Sequence, residues 1–286
     1  MKKKNLAFVW VTIQVILTTV MILLIKYVLE LGVEPLNFSY QILLASVVYL
    51  LIYALFKEPK KLVSVDKKSL IVIVLIGIMA GAIAYGFAFL GLQKSTAINY
   101  SFLIQSTVFF TPVLAFFILK EHLKPFKLVL IFVLLFGVYL VSTNGELILP
   151  KTGDLYLILG ALAASSGTIL TKISLRKVST LTFSMYRALF GGLSLLLFLL
   201  LIGKVSLEFN WHWIAIVGLV VAVGIYAMNK ALEYGSASYM QMMSMSVPVI
   251  TVIFAYTFLG ESMTFIQMIG GAIIIASGVF VHKLKI

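Results

Sequence analysis

Long apolar stretches recur along the whole chain, and each has the length of a membrane-crossing helix. Ten of them follow one another, at roughly residues 6–29, 35–56, 69–91, 97–119, 127–143, 154–174, 181–202, 211–232, 237–259 and 265–281. A helix needs about 20 apolar residues to cross a hydrocarbon core of about 30 Å. The stretches are continuously apolar rather than alternating, which favours helices over barrel strands. The pattern predicts an all-α integral membrane protein with ten transmembrane helices.

Composition supports this assignment, because 62% of the residues are hydrophobic and only 11% are charged, with a mean hydropathy of +1.13. A soluble domain is nearer half apolar and a quarter charged. The chain has no cysteine, which excludes disulfides and sulfur-ligated metals. Its lysine-rich start resembles a secretory signal, but no small-residue cleavage site follows, so we expect the first span to be retained.

The net charge of +12 is distributed unevenly between the two predicted faces of the membrane. Fifteen Lys and Arg residues fall on the side of the N-terminus and three on the other side. By the positive-inside rule, this asymmetry predicts a multi-pass protein of the cell (cytoplasmic) membrane with both termini in the cytoplasm. No basic segment outside the bilayer is long enough to indicate a nucleic-acid partner.

The first five spans and the last five resemble copies of one unit, which predicts two domains, 1–145 and 150–286. Shifts of 146 and 140 residues bring matching polar residues together: Lys26 with Lys172, Tyr40 with Tyr186, Thr111 with Thr251 and Glu121 with Glu261. Because five is odd, the second copy must cross the membrane with opposite polarity. The sequence thus predicts two inverted five-helix repeats, an architecture typical of secondary transporters.

Each predicted repeat contains an apolar helix that ends at an acidic residue and is followed by one more helix. These segments are Phe109-Phe110-Thr111-Pro112 through Lys120-Glu121, and Val247-Pro248-Val249 through Gly260-Glu261. With its ten spans, the chain resembles the EamA-type permeases of the drug/metabolite transporter superfamily. The resemblance implies that the fifth and tenth spans are peripheral, and that the other eight surround a path whose access alternates as the halves rock.

The two halves depart from the family pattern to different degrees. The usual proline, thirteen residues before the glutamate, is present as Pro248, whereas the first half has Val108 there and carries Pro112 one turn later. Lys120 replaces the usual glycine. Pro112 and Pro248 each free a backbone carbonyl and are the candidate hinges.

Polar residues inside the spans form helical stripes that outline a central path, although each one alone is also explained by an interhelical hydrogen bond. The candidate substrate-pathway residues are Gln14, Tyr40, Gln41, Tyr85, Gln105, Tyr186, Arg187, Tyr226, Asn229, Lys230 and Gln241. Small residues mark two further faces, at Gly77 and Gly81 in the third span and from Gly160 to Gly167 in the sixth. Small residues let helices approach closely.

Two basic residues inside the spans bear on the substrate. Arg187 lies six residues into the seventh span, about 9 Å deep, so it either faces a hydrated cavity or reaches a headgroup or a carbonyl. Lys230 either pairs with Glu233 or joins Arg187 in an electropositive mouth for anions. All Asp and Glu residues fall at span ends or in connections, which disfavours exchange of a cationic drug for a proton.

Enzyme signatures are missing: the three histidines are peripheral, and there is no phosphate-binding glycine loop. We therefore expect no enzymatic activity, no cofactor, no metal and no nucleotide. The expected function is secondary transport, as an exporter of small metabolites such as amino acids or related carboxylates. A facilitative channel, a broad-specificity drug efflux permease and a non-transporting scaffold are the alternatives. The expected partners are a small-molecule substrate and the lipid bilayer; a homodimer stays open.

Overall fold

The computed structural model describes residues 2–61, 65–119, 125–146, 150–175, 177–206, 208, 210–235, 240 and 243–283. These residues form ten helices and no strand. We number the helices in chain order: α1 (Lys2–Glu30), α2 (Pro35–Lys57), α3 (Lys67–Lys94), α4 (97–119), α5 (Pro125–Thr143), α6 (Thr152–Ser174), α7 (Thr180–Leu201), α8 (Trp211–Tyr234), α9 (Ser246–Leu259) and α10 (Phe265–Lys283). A short 3-10 helix, Pro59–Lys61, follows α2.

Short polar residues fix where several helices begin. The Glu34 carboxylate accepts a hydrogen bond from Asn37 N at 2.6 Å, and Pro35 occupies the first position of α2. Asp66 and Thr96 act in the same way at the starts of α3 and α4. Such caps satisfy backbone donors that have no partner inside the helix. Short connections separate α1 from α2 and α3 from α4.

Five of the described helices are long and apolar enough to cross a membrane: Asn5–Glu30, Pro35–Lys57, Lys67–Lys94, Thr180–Leu201 and Trp211–Tyr234. Shorter apolar helices occur at Phe132–Thr143, Ser246–Leu259 and Phe265–Ser277. Large apolar side chains such as Phe56, Leu201 and Phe132 are exposed on the outside of the bundle. A lipid environment explains this exposure, since a soluble surface of this kind would associate.

The helices pack as a bundle with one pair set apart at an edge. Helix α1 packs on α8, α2 on both α7 and α8, and α3 on both α6 and α7. Helix α4 contacts α6 and α9, whereas α5 and α10 pack mainly against each other. The pairing of α5 and α10 agrees with the peripheral position that the family resemblance implies for the fifth and tenth spans.

Helix α3 contains a wide turn at its centre, where Gly77–Ile83 forms a π-helix. There the Ala84 N–H bonds to the Met79 carbonyl, five residues back. Glycines on both neighbouring helices make room for it. A Cβ on Gly81 would lie 2.7 Å from Gly191 Cα of α7, and a Cβ on Gly167 of α6 would lie 2.4 Å from Ala80 Cβ. The small-residue faces of α3 and α6 thus pack around this turn.

Candidate transport site

A cavity of about 200 Å³ lies in the middle of the bundle. Its described lining comes from six helices: α1, α3, α4, α6, α7 and α8. One wall, formed by α8 and part of α1, carries the apolar side chains Leu17, Met21, Val221, Ile225 and Met228. Polar and aromatic groups, among them Gln14 and Thr18 of α1 itself, line the rest. A central cavity with few polar groups on mostly apolar walls is the usual form of a small-molecule site.

Arg187 is the charged residue on this lining. It lies seven residues after the first residue of α7, about 10 Å along the helix axis, and only 7% of its surface is exposed. Its Nη2 donates to the Ala80 carbonyl at 3.4 Å, within the π turn of α3. Its Nη1 is buried and has no partner among the described residues. Buried polar groups normally find partners, so Nη1 is available to bind a polar group of a solute in the cavity.

Aromatic side chains of α3 and α4 surround the same space. The rings of Tyr85 and Phe89 stack with centroids 6.2 Å apart, and Tyr100 of α4 is also on the lining. Tyr85 and Arg187 both line the cavity. Neither tyrosine hydroxyl has a recorded hydrogen-bond partner within the described part of the chain, so both can donate into the cavity.

A hydrogen-bonded chain connects α1 to the segment before α9 and to α4. Gln14 Nε2 donates to Thr18 Oγ1 at 2.9 Å, and Gln14 Oε1 accepts from Ser244 Oγ at 3.3 Å. Gln105 Nε2 donates to the Ser244 carbonyl at 3.2 Å. Gln14 and Thr18 line the cavity, whereas Gln105 is buried just behind it. These bonds orient the Gln14 amide and leave the Thr18 hydroxyl proton free to donate.

Carboxylates are remote from this cavity in the described part of the chain. Nine are described, and each lies at a helix end or in a connection: Glu30, Glu34, Glu58, Asp66, Glu146, Asp154, Glu208, Glu233 and Glu261. None of them lines the cavity. The ion pairs recorded for these residues are Lys26–Glu30 at 3.3 Å and Lys230–Glu233 at 2.7 Å, both within one helix or its end.

Lys230 forms a local pair instead of facing the cavity. Glu233, its partner, also accepts a hydrogen bond from Thr180 of α7. The Lys230 ammonium lies 5.8 Å from the ring centroid of Tyr226, which itself packs edge-on against Trp10. Of the two arrangements predicted for Lys230, the structure has the local pair with Glu233. Lys230 does not line the cavity that contains Arg187.

The other candidates fall into three places. Asn229 is fully buried and donates to Ser184 Oγ at 2.8 Å, which ties α8 to α7. Tyr186 stacks on Phe190 outside the cavity. Tyr40 and Gln41 line a different groove between α2 and α8, where the Gln41 amide donates to the Glu208 carbonyl at 3.3 Å. Gln14, Tyr85 and Arg187 are therefore the sequence candidates that the fold brings together.

Three candidates remain: one pathway residue and the two proposed hinge prolines. Gln241 lies outside the described residues. Pro248 is buried in the first turn of α9, where a missing N–H costs little. Pro112 lies in α4 after a 3-10 turn at Ile104–Ser106. The hinge role of both prolines stays a prediction.

Sequence reasoning missed two features of the site. One is the carbonyl of Ala80, which holds Arg187; the signal was the Gly77 and Gly81 spacing, which was interpreted as packing alone. The other is the pair Tyr100 and Ser244. The segments around both residues are so uniformly apolar that the sequence pattern did not indicate which side of each helix faces the cavity. Both depend on contacts between residues far apart in the chain.

The chain resembles known transporter sequences along nearly its full length. The sequence profile of the EamA-like transporter family matches residues 5–143 and 151–282. An uncharacterized transporter of Archaeoglobus fulgidus is 32% identical over 214 residues, which cover 70% of this chain and 72% of that one. An uncharacterized transporter of Synechocystis sp. is 25% identical over 242 residues, which cover 79% of this chain and 69% of that one.

The fold is also found among solved structures. A crystal structure of a protein that is 15% identical in sequence superposes with a TM-score of 0.65, over 96% of this chain and 99% of that one. At this identity the likeness concerns the fold alone. Together with the apolar helices, the family match shows that the chain is a membrane transporter and belongs to the EamA-like transporter family.

Proposed function

We propose that the protein is a secondary transporter that exports small carboxylate-bearing metabolites, such as amino acids or related acids, by alternating access. The observation that carries the proposal is Arg187, buried in the central cavity with Nη1 unpaired among the described residues. A guanidinium cannot lose its charge inside a protein, and its fork matches a carboxylate with two parallel hydrogen bonds. A bound carboxylate would provide the partner that Arg187 lacks.

The size of the cavity supports a small metabolite. Sites for drug-sized ligands usually have volumes of about 300–1,000 Å³, whereas this cavity has about 200 Å³. The volume and the single fixed charge favour a compact acid over the bulky cations that a broad drug efflux permease would carry.

Alternating access requires contacts that close one side and can break. On the side of the bundle opposite the start of α1, Lys26 Nζ donates to the Ser95 carbonyl at 2.8 Å. On the same side the Glu261 carboxylate accepts from Ala97 N at 2.7 Å and from Ile98 N at 2.9 Å. Both contacts end on the turn between α3 and α4, and we propose this turn as the gate on that side.

Charge and orientation support export. We place the start of α1 in the cytoplasm, because most Lys and Arg residues lie on that side. Arg187 is nearer to the same side, so it would attract acids from the cytoplasm. A cytoplasm that is negative by 100 mV favours the exit of one negative charge by about 2.3 kcal/mol.

Counterflow in proteoliposomes tests the proposal. The purified protein is reconstituted, the vesicles are loaded with one unlabelled acid, and entry of the labelled acid is measured over a range of concentrations. Saturable counterflow whose affinity falls at least about tenfold in Arg187→Gln would support a carrier of carboxylates. Flux that does not saturate would instead indicate a channel, and no flux for any acid or amino acid would contradict transport of this class.

A further inference from the structure

We propose that this site selects solutes of net negative charge, namely small monocarboxylates with an oxo, hydroxyl or unsubstituted carbon beside the carboxyl group, over zwitterionic amino acids. The inference rests on the proposed function and narrows its substrate class. It is argued from the charges, the donors and the dimensions of the cavity that contains Arg187.

The cavity gives an ammonium group no ionic partner among the described residues. Arg187 is the charged residue on the lining, and the nine described carboxylates are all at helix ends or in connections. In an α-amino acid the ammonium is one carbon away from the carboxylate, so binding the carboxylate to Arg187 would place the ammonium beside the guanidinium. Burying an unpaired charge next to a like charge is strongly unfavourable.

The hydrogen-bonding groups on the lining point to the same class. The hydroxyls of Thr18, Tyr85 and Tyr100 can each donate into the cavity, and none has a recorded acceptor within the described ranges. These donors match the oxygens of a carboxylate or an oxo group, whereas the described lining has no carboxylate to balance the charge of an ammonium group.

The apolar wall formed by α1 and α8 accounts for the rest of the solute. Leu17, Met21 and Val221 offer carbon surface and no hydrogen-bonding side-chain group except the Met21 sulfur. Ile225 and Met228 extend this wall. A solute that packs against this wall is a monocarboxylate with a short branched or unbranched hydrocarbon body, because a polar end would lose its hydration against these side chains.

The membrane potential acts on the transport of a net anion but not on that of a zwitterion. Uniport of an anion moves charge across the membrane, and a potential of about 100 mV changes its equilibrium ratio by about 50-fold. Uniport of a zwitterion at neutral pH moves no net charge. The membrane potential therefore separates the two substrate classes in one assay.

The test compares 2-oxo-3-methylbutanoate with L-valine, which share a carbon skeleton and differ at the second carbon. Proteoliposomes with a potassium gradient receive valinomycin at pH 7, and uptake of each labelled probe is followed with the interior positive. We expect the oxo acid to saturate at a concentration at least about tenfold lower than valine, the factor set by one unmatched polar interaction. We also expect its uptake to rise with the potential.

Outcomes for the unsubstituted protein decide the inference. If valine and the oxo acid saturate at similar concentrations and both require Arg187, the inferred selectivity for net anions is wrong. The proposal of a carboxylate transporter then stands. If neither probe is carried, the inferred substrate class is wrong, and counterflow with the other acids and amino acids decides whether the carboxylate transporter stands.

A second test adds a negative charge to the cavity and should weaken the preference for anions. Gln14→Glu places a carboxylate on the lining with almost no change of shape, and we expect it to lower the preference for the oxo acid over valine by at least about tenfold. Gln93→Glu is the matched control, because Gln93 is exposed near the end of α3 and away from the cavity. An unchanged preference in a Gln14→Glu protein that still carries the oxo acid would contradict the proposed basis of selectivity.

Discussion

Arg187 of α7 and Ala80 of α3 are joined by a hydrogen bond of 3.4 Å from the arginine Nη2 to the alanine carbonyl. Ala80 lies inside the π turn of α3, a feature that often marks functional sites in helices. The bond holds one arm of the guanidinium against the cavity wall. The other arm carries Nη1, the group that we propose binds the solute.

We expect Arg187→Gln to reduce the affinity for carboxylate substrates by roughly 10- to 150-fold, since one charge-assisted hydrogen bond contributes about 1.5–3 kcal/mol. Arg187→Lys should recover only part of this loss, because an ammonium lacks the planar fork. Lys230→Gln is the control, since Lys230 is outside the cavity and pairs with Glu233. Counterflow at increasing substrate concentration measures the effect; equal affinities in Arg187→Gln and Lys230→Gln would remove the role given to Arg187.

Gly81→Ala should disturb the contact between α3 and α7. The added Cβ would lie 2.7 Å from Gly191 Cα, a backbone atom that cannot rotate away. We expect the two helices to separate, with a loss of about 1–3 kcal/mol of stability from overpacking. Gly86→Ala in the same helix is the control, because its Cβ would meet only Leu36 Cδ2 at 3.5 Å and Leu195 Cδ1 at 3.9 Å. Thermal unfolding in detergent distinguishes them, and a similar Tm for both variants would contradict the close packing.

Glu261→Gln should weaken the contact between the turn after α9 and the start of α4. The carboxylate accepts from two backbone N–H groups, at Ala97 and Ile98, whereas an amide has one acceptor oxygen and no charge for the helix N-terminus. The expected loss of stability is about 0.5–2 kcal/mol.

If this contact is the gate, Glu261→Gln should also change the ratio of the two access states. Cysteine labelling at a position introduced near Ser95 would report that change, and the absence of native cysteines leaves the signal free of background. Glu146→Gln, at an exposed site on the same side, should change neither the Tm nor the labelling.

Asp154→Ala should destabilise the bundle without changing substrate affinity. Asp154 has no exposed surface and accepts hydrogen bonds from Ser95 Oγ at 2.5 Å and Ser142 Oγ at 2.8 Å, so it ties α6 to the ends of α3 and α5. Leaving these hydroxyls without an acceptor should cost about 1–3 kcal/mol. Asp154→Asn keeps one acceptor oxygen and should recover part of the Tm. A drop in affinity without a drop in Tm would contradict a purely structural role.

The hydrophobic pattern predicted the helices well, because a membrane-crossing helix must be apolar for a fixed length. The predicted span 69–91 corresponds to Lys67–Lys94, and 211–232 corresponds to Trp211–Tyr234. The ends differ by a few residues where polar side chains cap the helix, as Asp66 does for α3. Such caps extend a helix beyond the apolar stretch.

The site was predictable only in part. Arg187 could be identified as unusual from its depth alone, because a guanidinium inside an apolar stretch needs a partner or water. Its neighbours could not be identified, since Ala80 is 107 residues away and contributes a backbone atom that has no sequence signature. Gln41 shows the converse: its polarity suggested the path, but the fold pairs it with the Glu208 carbonyl in another groove.

The wide turn at Gly77–Ile83 determines which side chains of α3 face inward after it. Each residue of an α-helix advances the side chains by about 100° around the axis, so one additional residue within a turn rotates everything beyond it by that angle. If the segment tightened into a regular α-helix, Tyr85 and Phe89 would be carried around the helix and away from Arg187. The lining of the central cavity thus depends on an irregularity of the α3 backbone as well as on its side chains.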